Sequence, residues 1–247
     1  MARRQDIDRL LKQWPYQPGE VCARLVRASD GREVLQMRVE MGILQLEVDN
    51  RPDGQHPEGF DSYFEYLLKQ AVKKGNGFEL SQEQCAAADR EFLQFYHRRI
   101  CWLALRQFRR AVQDADHSLA FMDFVRAHSP DEEWTLSHEQ YRPFVLFHRT
   151  QAATLAVLEE AGPEAALSEL GRGLQRFREV FAEYDAEDQY EDDELVQRLV
   201  ELKETLRRQY GLLPSLADQL AEAVAAEEYE LAAKLRDELT RQKRKPV

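Results

Sequence analysis

The spacing of apolar residues along the chain changes period twice. Ile7, Leu10, Leu11 and Trp14 fall at i, i+3, i+4 and i+7, one stripe of a short amphipathic helix that Pro15 must end. From Val21 the period drops to two. Val21, Ala23 and Leu25 alternate with polar neighbours, Ser29-Asp30-Gly31-Arg32 supplies turn chemistry, and Leu35, Met37, Val39 and Met41 alternate again, which predicts a β-hairpin. A third run, Leu44, Leu46 and Val48, uses even-numbered positions where the second used odd ones. A one-residue change of phase at Gly42 predicts a β-bulge. Asn50-Arg51-Pro52-Asp53-Gly54, followed by Pro57 and Gly59, then ends the extended segment in a turn-rich loop whose simplest reading is a connection.

Beyond Gly59 the pattern is helical to the end of the chain. Phe60 to Lys74 reads as an aromatic helix closed by Gly75-Asn76-Gly77, and Ser81 with Gln84 three residues later forms a capping box for the next. Further helices are predicted at about 82–105, 107–127, 138–160, 163–183, 192–210 and 216–242, with Gly162-Pro163 separating two of them. Within this series Phe95-Tyr96-His97-Arg98 recurs as Leu146-Phe147-His148-Arg149, 51 residues later. Each copy opens a helix, a short break and a second helix carrying small residues, so residues 92–182 resemble tetratricopeptide-type helical hairpins. The resemblance implies hairpin geometry and no binding residues. The spacing of 51 is not the family's 34.

Charge changes the picture more than composition does. The chain has 247 residues, 34 basic and 45 acidic, a net charge of −11. Residues 81–214 hold 16 basic and 25 acidic side chains, so −9 of that charge is concentrated there, and such a surface repels the phosphate backbone that dominates nucleic-acid affinity. Direct nucleic-acid binding is disfavoured on this reading. The longest apolar run, Ile100 to Leu105, is six residues, far short of a membrane span, and the charged first fourteen residues have no secretion-signal core. A cytoplasmic location is expected. Cys22, Cys85 and Cys101 match neither a disulfide framework nor a metal knuckle, so no metal and no other cofactor is expected.

Catalytic signals are sparse. No HExxH, GxSxG, P-loop or dinucleotide fingerprint is present. His97 and His148 could converge as acid–base or metal-binding partners, but a helix-face histidine satisfied by a neighbour is the commoner state. Arg98, Arg99, Arg106, Arg109 and Arg110 crowd thirteen positions, and eight acids between Glu183 and Glu194 could pair with them. That acidic run lacks the glycine and spacing of a calcium loop and reads as an exposed linker.

The most specific signal follows Gly211-Leu212-Leu213-Pro214-Ser215, a helix stop, a proline and an N-cap. Tyr229, Glu230, Ala232, Ala233, Arg236 and Asp237 fill six places of a nine-residue frame, an aromatic followed by Glu, Ala-Ala and Arg-Asp, with Leu216 and Leu220 leading. This stretch resembles the UVR motif of the excinuclease B and C proteins, of activators of protein-arginine kinases and of some Clp-family ATPases. The helicase and nuclease regions and the four-cysteine knuckles of those proteins are absent. The resemblance implies two short antiparallel helices, and Glu227-Glu228, which interrupts the apolar stripe, is where the break should fall. Leu216, Leu220, Tyr229, Glu230, Ala232, Ala233, Arg236 and Asp237 are the candidate partner-binding residues, Tyr229 as an anchor and Arg236 with Asp237 as a register-setting pair.

Together these readings predict a mainly α protein with a small N-terminal β-hairpin unit. Three regions are expected: 1–80, a helical-hairpin region 81–210 with an acidic linker at 183–194, and the UVR-like hairpin at 215–247. The expected function is a non-enzymatic protein–protein adaptor whose partner is another UVR-bearing protein or a second copy of itself. An accessory of nucleotide excision repair and a regulator of a Clp protease or protein-arginine kinase are the alternatives.

Overall fold

The computed structural model describes residues 6–214, 216–225 and 228–243. These divide into two compact units, 1–199 and 200–247. In the first, α1 (Asp8–Gln13) stops before Pro15. Three strands follow, β1 (Cys22–Arg27), β2 (Glu33–Val39) and β3 (Gly42–Glu47), in an antiparallel sheet of order β1-β2-β3. Pairing of Ala23 with Met37, Leu25 with Leu35, Leu35 with Leu46 and Met37 with Leu44 gathers the alternating apolar residues on one face. The other face carries a polar ladder in which Arg24 and Gln45 each bond the Gln36 amide, and the Arg24 guanidinium lies 4.1 Å from the Trp14 ring centroid.

There is no bulge at Gly42. Val39 pairs with Gly42 around a two-residue turn, Glu40-Met41. A turn of that length sets odd residues opposite even ones, so the change of phase marks a chain reversal within a three-stranded meander rather than an extra residue in one strand.

The sheet's apolar face shares a core with three of the helices. Leu35 and Leu46 pack with Cys101, Trp102, Phe108, Ala111, Ala152 and Ala156. The helices of this unit are α2 (Tyr63–Lys74), α3 (Gln82–Ala104), α4 (Phe108–His128), α5 (Glu132–Glu139), α6 (Arg142–Ala161) and α7 (Pro163–Glu183), and α8 (Glu194–Tyr210) starts in it and continues into the second. The capping box at Ser81 and Gln84 is formed, with bonds of 2.9 and 3.3 Å. Along α3 and α4 the contacts run in opposite senses, Arg98 to Asp114, Phe95 to His117 and Phe92 to Phe121, so the two form an antiparallel hairpin. Arg149 to Asp116 and Arg142 to Asp123 set α6 antiparallel to α4 in the same way. The helix expected at 138–160 begins at Arg142, and a separate short helix, α5, occupies 132–139, where none was expected. Asp131 caps α5 by accepting from the Trp134 amide at 2.7 Å, and Pro143 stands in the first turn of α6, where its missing N–H costs nothing.

Buried carboxylates tie the loop after β3 to the bundle. Glu91, with none of its surface exposed, accepts from the amides of Tyr63 (2.6 Å) and Phe64 (3.0 Å) at the start of α2, and it pairs with Arg51 (3.3 Å) and His117 (3.1 Å). The acidic segment at 183–194 also has an anchor. Its Tyr190 is buried, donates to the Leu174 carbonyl at 3.3 Å, and meets Phe181 edge-on at 5.7 Å.

In the second unit α9 (Leu216–Ala225) and α10 (Tyr229–Lys243) pack on each other. The break between them falls where charge interrupted the stripe, and the Glu228 amide donates to the Ala223 carbonyl at 2.8 Å. Ala226 and Glu227 lie outside the described residues, as do Ser215 and the last four, 244–247.

Candidate functional site

The C-terminal hairpin begins where α8 is closed by Gly211. Its φ of +63° lets the Leu212 amide reach back to the Arg207 carbonyl at 3.0 Å, a conformation that costs a side-chain-bearing residue more. Lys203 and Arg207 of α8 both engage Asp218 of α9. Inside the hairpin Ala223, Ala232 and Leu235 are buried, with Leu216 and Leu220 against them. The two alanines leave only methyl groups between the helix backbones, which is what lets so short a pair close.

The eight candidate residues therefore separate into two sets. Leu216, Leu220 and Ala232 belong to the hairpin's own core. Tyr229, 69% exposed, and Glu230, Ala233, Arg236 and Asp237 face outward, and the apolar side chains Val224 and Leu231 of the same hairpin are exposed too. Arg236 and Asp237 stand 3.7 Å from each other and are both exposed, a geometry that contributes little by itself.

The two His-Arg copies diverge. Arg98 donates to both Asp114 oxygens, 2.7 to 3.2 Å away, and to the carbonyls of Glu47 (3.1 Å) and Asn50 (2.7 Å), clamping the end of β3 onto α3 and α4. Its counterpart Arg149 pairs with Asp116 at 2.6 Å and Glu169 at 3.4 Å. His97 is half-buried, and burial lowers its pKa. His148 is buried, and burial, followed by the charge of Arg99, brings its pKa down to about 4, so it is neutral at neutral pH. Its Nδ1 faces Arg99 Nε at 3.4 Å and must accept there, since arginine only donates. The two histidines are not hydrogen-bonded to each other. Among the described residues no group of three or more His, Cys, Asp and Glu side chains could hold a metal ion. Burial raises the thiols of Cys85 and Cys101, the latter to about 12, which leaves them unreactive.

The crowded arginines are paired, though with other acids than those of 183–194. Arg98 takes Asp114, Arg106 takes Glu159, Arg109 takes Glu160 and Arg110 takes Asp49. Arg99 alone of the five has no carboxylate within ion-pair distance among the described residues. It is 2% exposed, bonds Ser118 Oγ at 3.0 Å and His148, and leaves Nη2 without a hydrogen-bond partner among the described residues. Burial brings its pKa down to about 10 against the favourable field of Asp114, so it remains charged at neutral pH. It lines a cavity of about 720 Å³ between α3, α4, α5 and α6, walled by Phe92, Tyr96, Met122, Tyr141, Phe144 and Val145. From the sequence Arg99 stood among five arginines that the acids of 183–194 could pair with. The signal available was its helical neighbours, Phe95 and Tyr96 before it and Trp102 after it, which place it on a core-facing stripe.

Comparison with sequence families matches residues 211–245 to the UvrB/uvrC motif, and this stretch of the chain carries that motif. The matched span contains all of α9 and α10. Comparison with curated proteins and with solved structures gave no significant match. Among the described residues no helix is long and apolar enough to cross a membrane.

Proposed function

We propose that this protein is a non-enzymatic adaptor that docks onto a protein partner through its C-terminal hairpin. The observation that carries this reading is the UvrB/uvrC motif at 211–245, whose counterparts mediate protein contacts in the excinuclease family. The surface fits it. Tyr229, Val224 and Leu231 are apolar side chains left exposed on a small unit, and an aromatic with neighbouring aliphatics is the composition of an interface hot spot. The partner is a second UVR-bearing protein or another copy of this chain. An excinuclease protein is the second reading, favoured by the description of the matched motif, and in that case the chain contacts the protein and not the DNA, because residues 81–214 carry −9.

The test is sedimentation of the purified full chain, alone and with a UvrB-type excinuclease protein, for the native protein and for the double variant Tyr229→Ala, Leu231→Ser. Association by the native chain, weakened at least roughly tenfold in the variant with unchanged melting, supports the reading. Absence of association in both mixtures, or equal association by the variant, refutes the assignment of these side chains.

A further inference from the structure

We propose that the cavity between α3, α4, α5 and α6 is a binding site for a small organic monoanion, a carboxylate carried on an apolar body, with Arg99 as its counter-ion. The inference does not rest on the hairpin. It rests on the conjunction of a buried guanidinium that has no ion-pair partner among the described residues with an apolar, aromatic-walled space next to it.

A buried charge is retained in a fold either because a partner compensates it or because a ligand will. The adjacent Arg98 shows the first case, with Asp114 and two carbonyls on its guanidinium. Arg99 shows the second. Asp114 is already clamped by Arg98, and the other contacts of Arg99 are neutral, a serine hydroxyl, an uncharged imidazole and the Tyr96 ring, whose centroid lies 5.9 Å from the guanidinium. The Ser118 hydroxyl is spent as well, because it donates to the Asp114 carbonyl while accepting from Arg99.

The donor set then selects the head group. With Nε bonded to His148 and one Nη1 hydrogen to Ser118, the guanidinium keeps three N–H groups, two on Nη2 and one on Nη1, to donate to a planar carboxylate, and its single charge balances a monoanion. A phosphate dianion would need a second cation. Of the other titratable groups lining the space, Asp89 is an acid and His138 is bound to it at 2.9 Å, so no such cation is supplied. The remainder of the ligand is set by the walls. Phe92, Tyr96, Met122, Phe144 and Val145 offer no charge, and about 720 Å³ is far more than a bare carboxylate fills and falls in the range of pockets that enclose whole small molecules.

The experiment is isothermal titration of the full chain with octanoate, 1-octanol and inorganic phosphate at neutral pH, for the native protein and Arg99→Gln, with melting curves of native, Arg99→Gln and Arg99→Met chains. The expected result is saturable one-to-one binding of octanoate, roughly tenfold or more weaker for octanol and for Arg99→Gln, with phosphate not competing. Arg99→Met should melt at or above the native temperature, since the guanidinium is held for a ligand and not for the fold. Octanol binding as tightly as octanoate to the native chain, phosphate displacing octanoate, or no saturable octanoate binding overturns the proposal without recourse to any variant. Equal octanoate affinity in a folded Arg99→Gln chain overturns it also.

Discussion

Replacing Gly173 by alanine should destabilise the first unit, against the usual benefit of that change in a helix. Gly173 is buried on α7 where that helix meets α6, and a Cβ built there would lie 2.0 Å from Thr150 Cγ2, 2.6 Å from its Oγ1 and 2.9 Å from its Cβ. Thr150 is 1% exposed and, being β-branched in a helix, has little rotamer freedom to retreat. Alanine gains up to about 1 kcal/mol in helix propensity, whereas forcing a methyl into a filled contact costs about 1–3 kcal/mol, and three side-chain atoms inside 3 Å put this case near the upper end. A net loss of about 1–2 kcal/mol corresponds to a fall in Tm of roughly 2–8 °C for a chain of this size. The same change at Gly171, two residues away with nothing within 4 Å of its Cβ, should stabilise by up to about 1 kcal/mol. The mechanism is tested by Thr150→Ala. Thr150 Oγ1 is buried without a hydrogen-bond partner, so the single change removes an unsatisfied hydroxyl and should be nearly neutral. Combined with Gly173→Ala it removes the two closest atoms and leaves a 2.9 Å approach that a shift of a few tenths of an ångström relieves. Urea denaturation of the four chains should give a coupling of about 1–2 kcal/mol in favour of the double variant. Gly173→Ala melting at or above the native protein, or Thr150→Ala failing to rescue it, would refute the close-approach argument.

Arg98→Gln should cost about 3–5 kcal/mol in urea denaturation, because it leaves Asp114 buried without its partner and frees the carbonyls of Glu47 and Asn50; an unchanged midpoint would show that the clamp does not hold the sheet. His148 should make stability depend on pH. Its folded pKa of about 4 lies below the ordinary value near 6.5, so between those values the unfolded chain binds more protons. Its contribution is complete above about pH 6.5 and is lost as the pH falls toward 4, by about 3 kcal/mol in all. Denaturation of native and His148→Gln chains across pH 4 to 7 should show this difference narrowing on acidification, and parallel profiles would contradict it.

Features set by neighbours a few residues apart were legible along the chain. Alternation placed the strands, periodicity and caps at Ser81, Pro163 and Gly211 placed most helix ends, and the Tyr229 to Asp237 frame identified the motif. Even the break between α9 and α10 could be read, since a charged interruption in an apolar stripe is a local conflict. Whatever depended on which residues meet was settled only by packing. The phase change at Gly42 is the same in sequence for a bulge and for a reversal, and only strand pairing separates them. Arg98 and Arg99 are adjacent and chemically identical, yet α4 brings Asp114 to one and Ser118 to the other, so one is a clamp and the other an unpaired charge beside a cavity. Of the motif's residues, packing of α9 on α10 took Leu216, Leu220 and Ala232 inward and left Tyr229 outside. A buried charge has its meaning fixed by a partner sixteen or fifty residues away, and spacing along one chain carries no record of that distance in space.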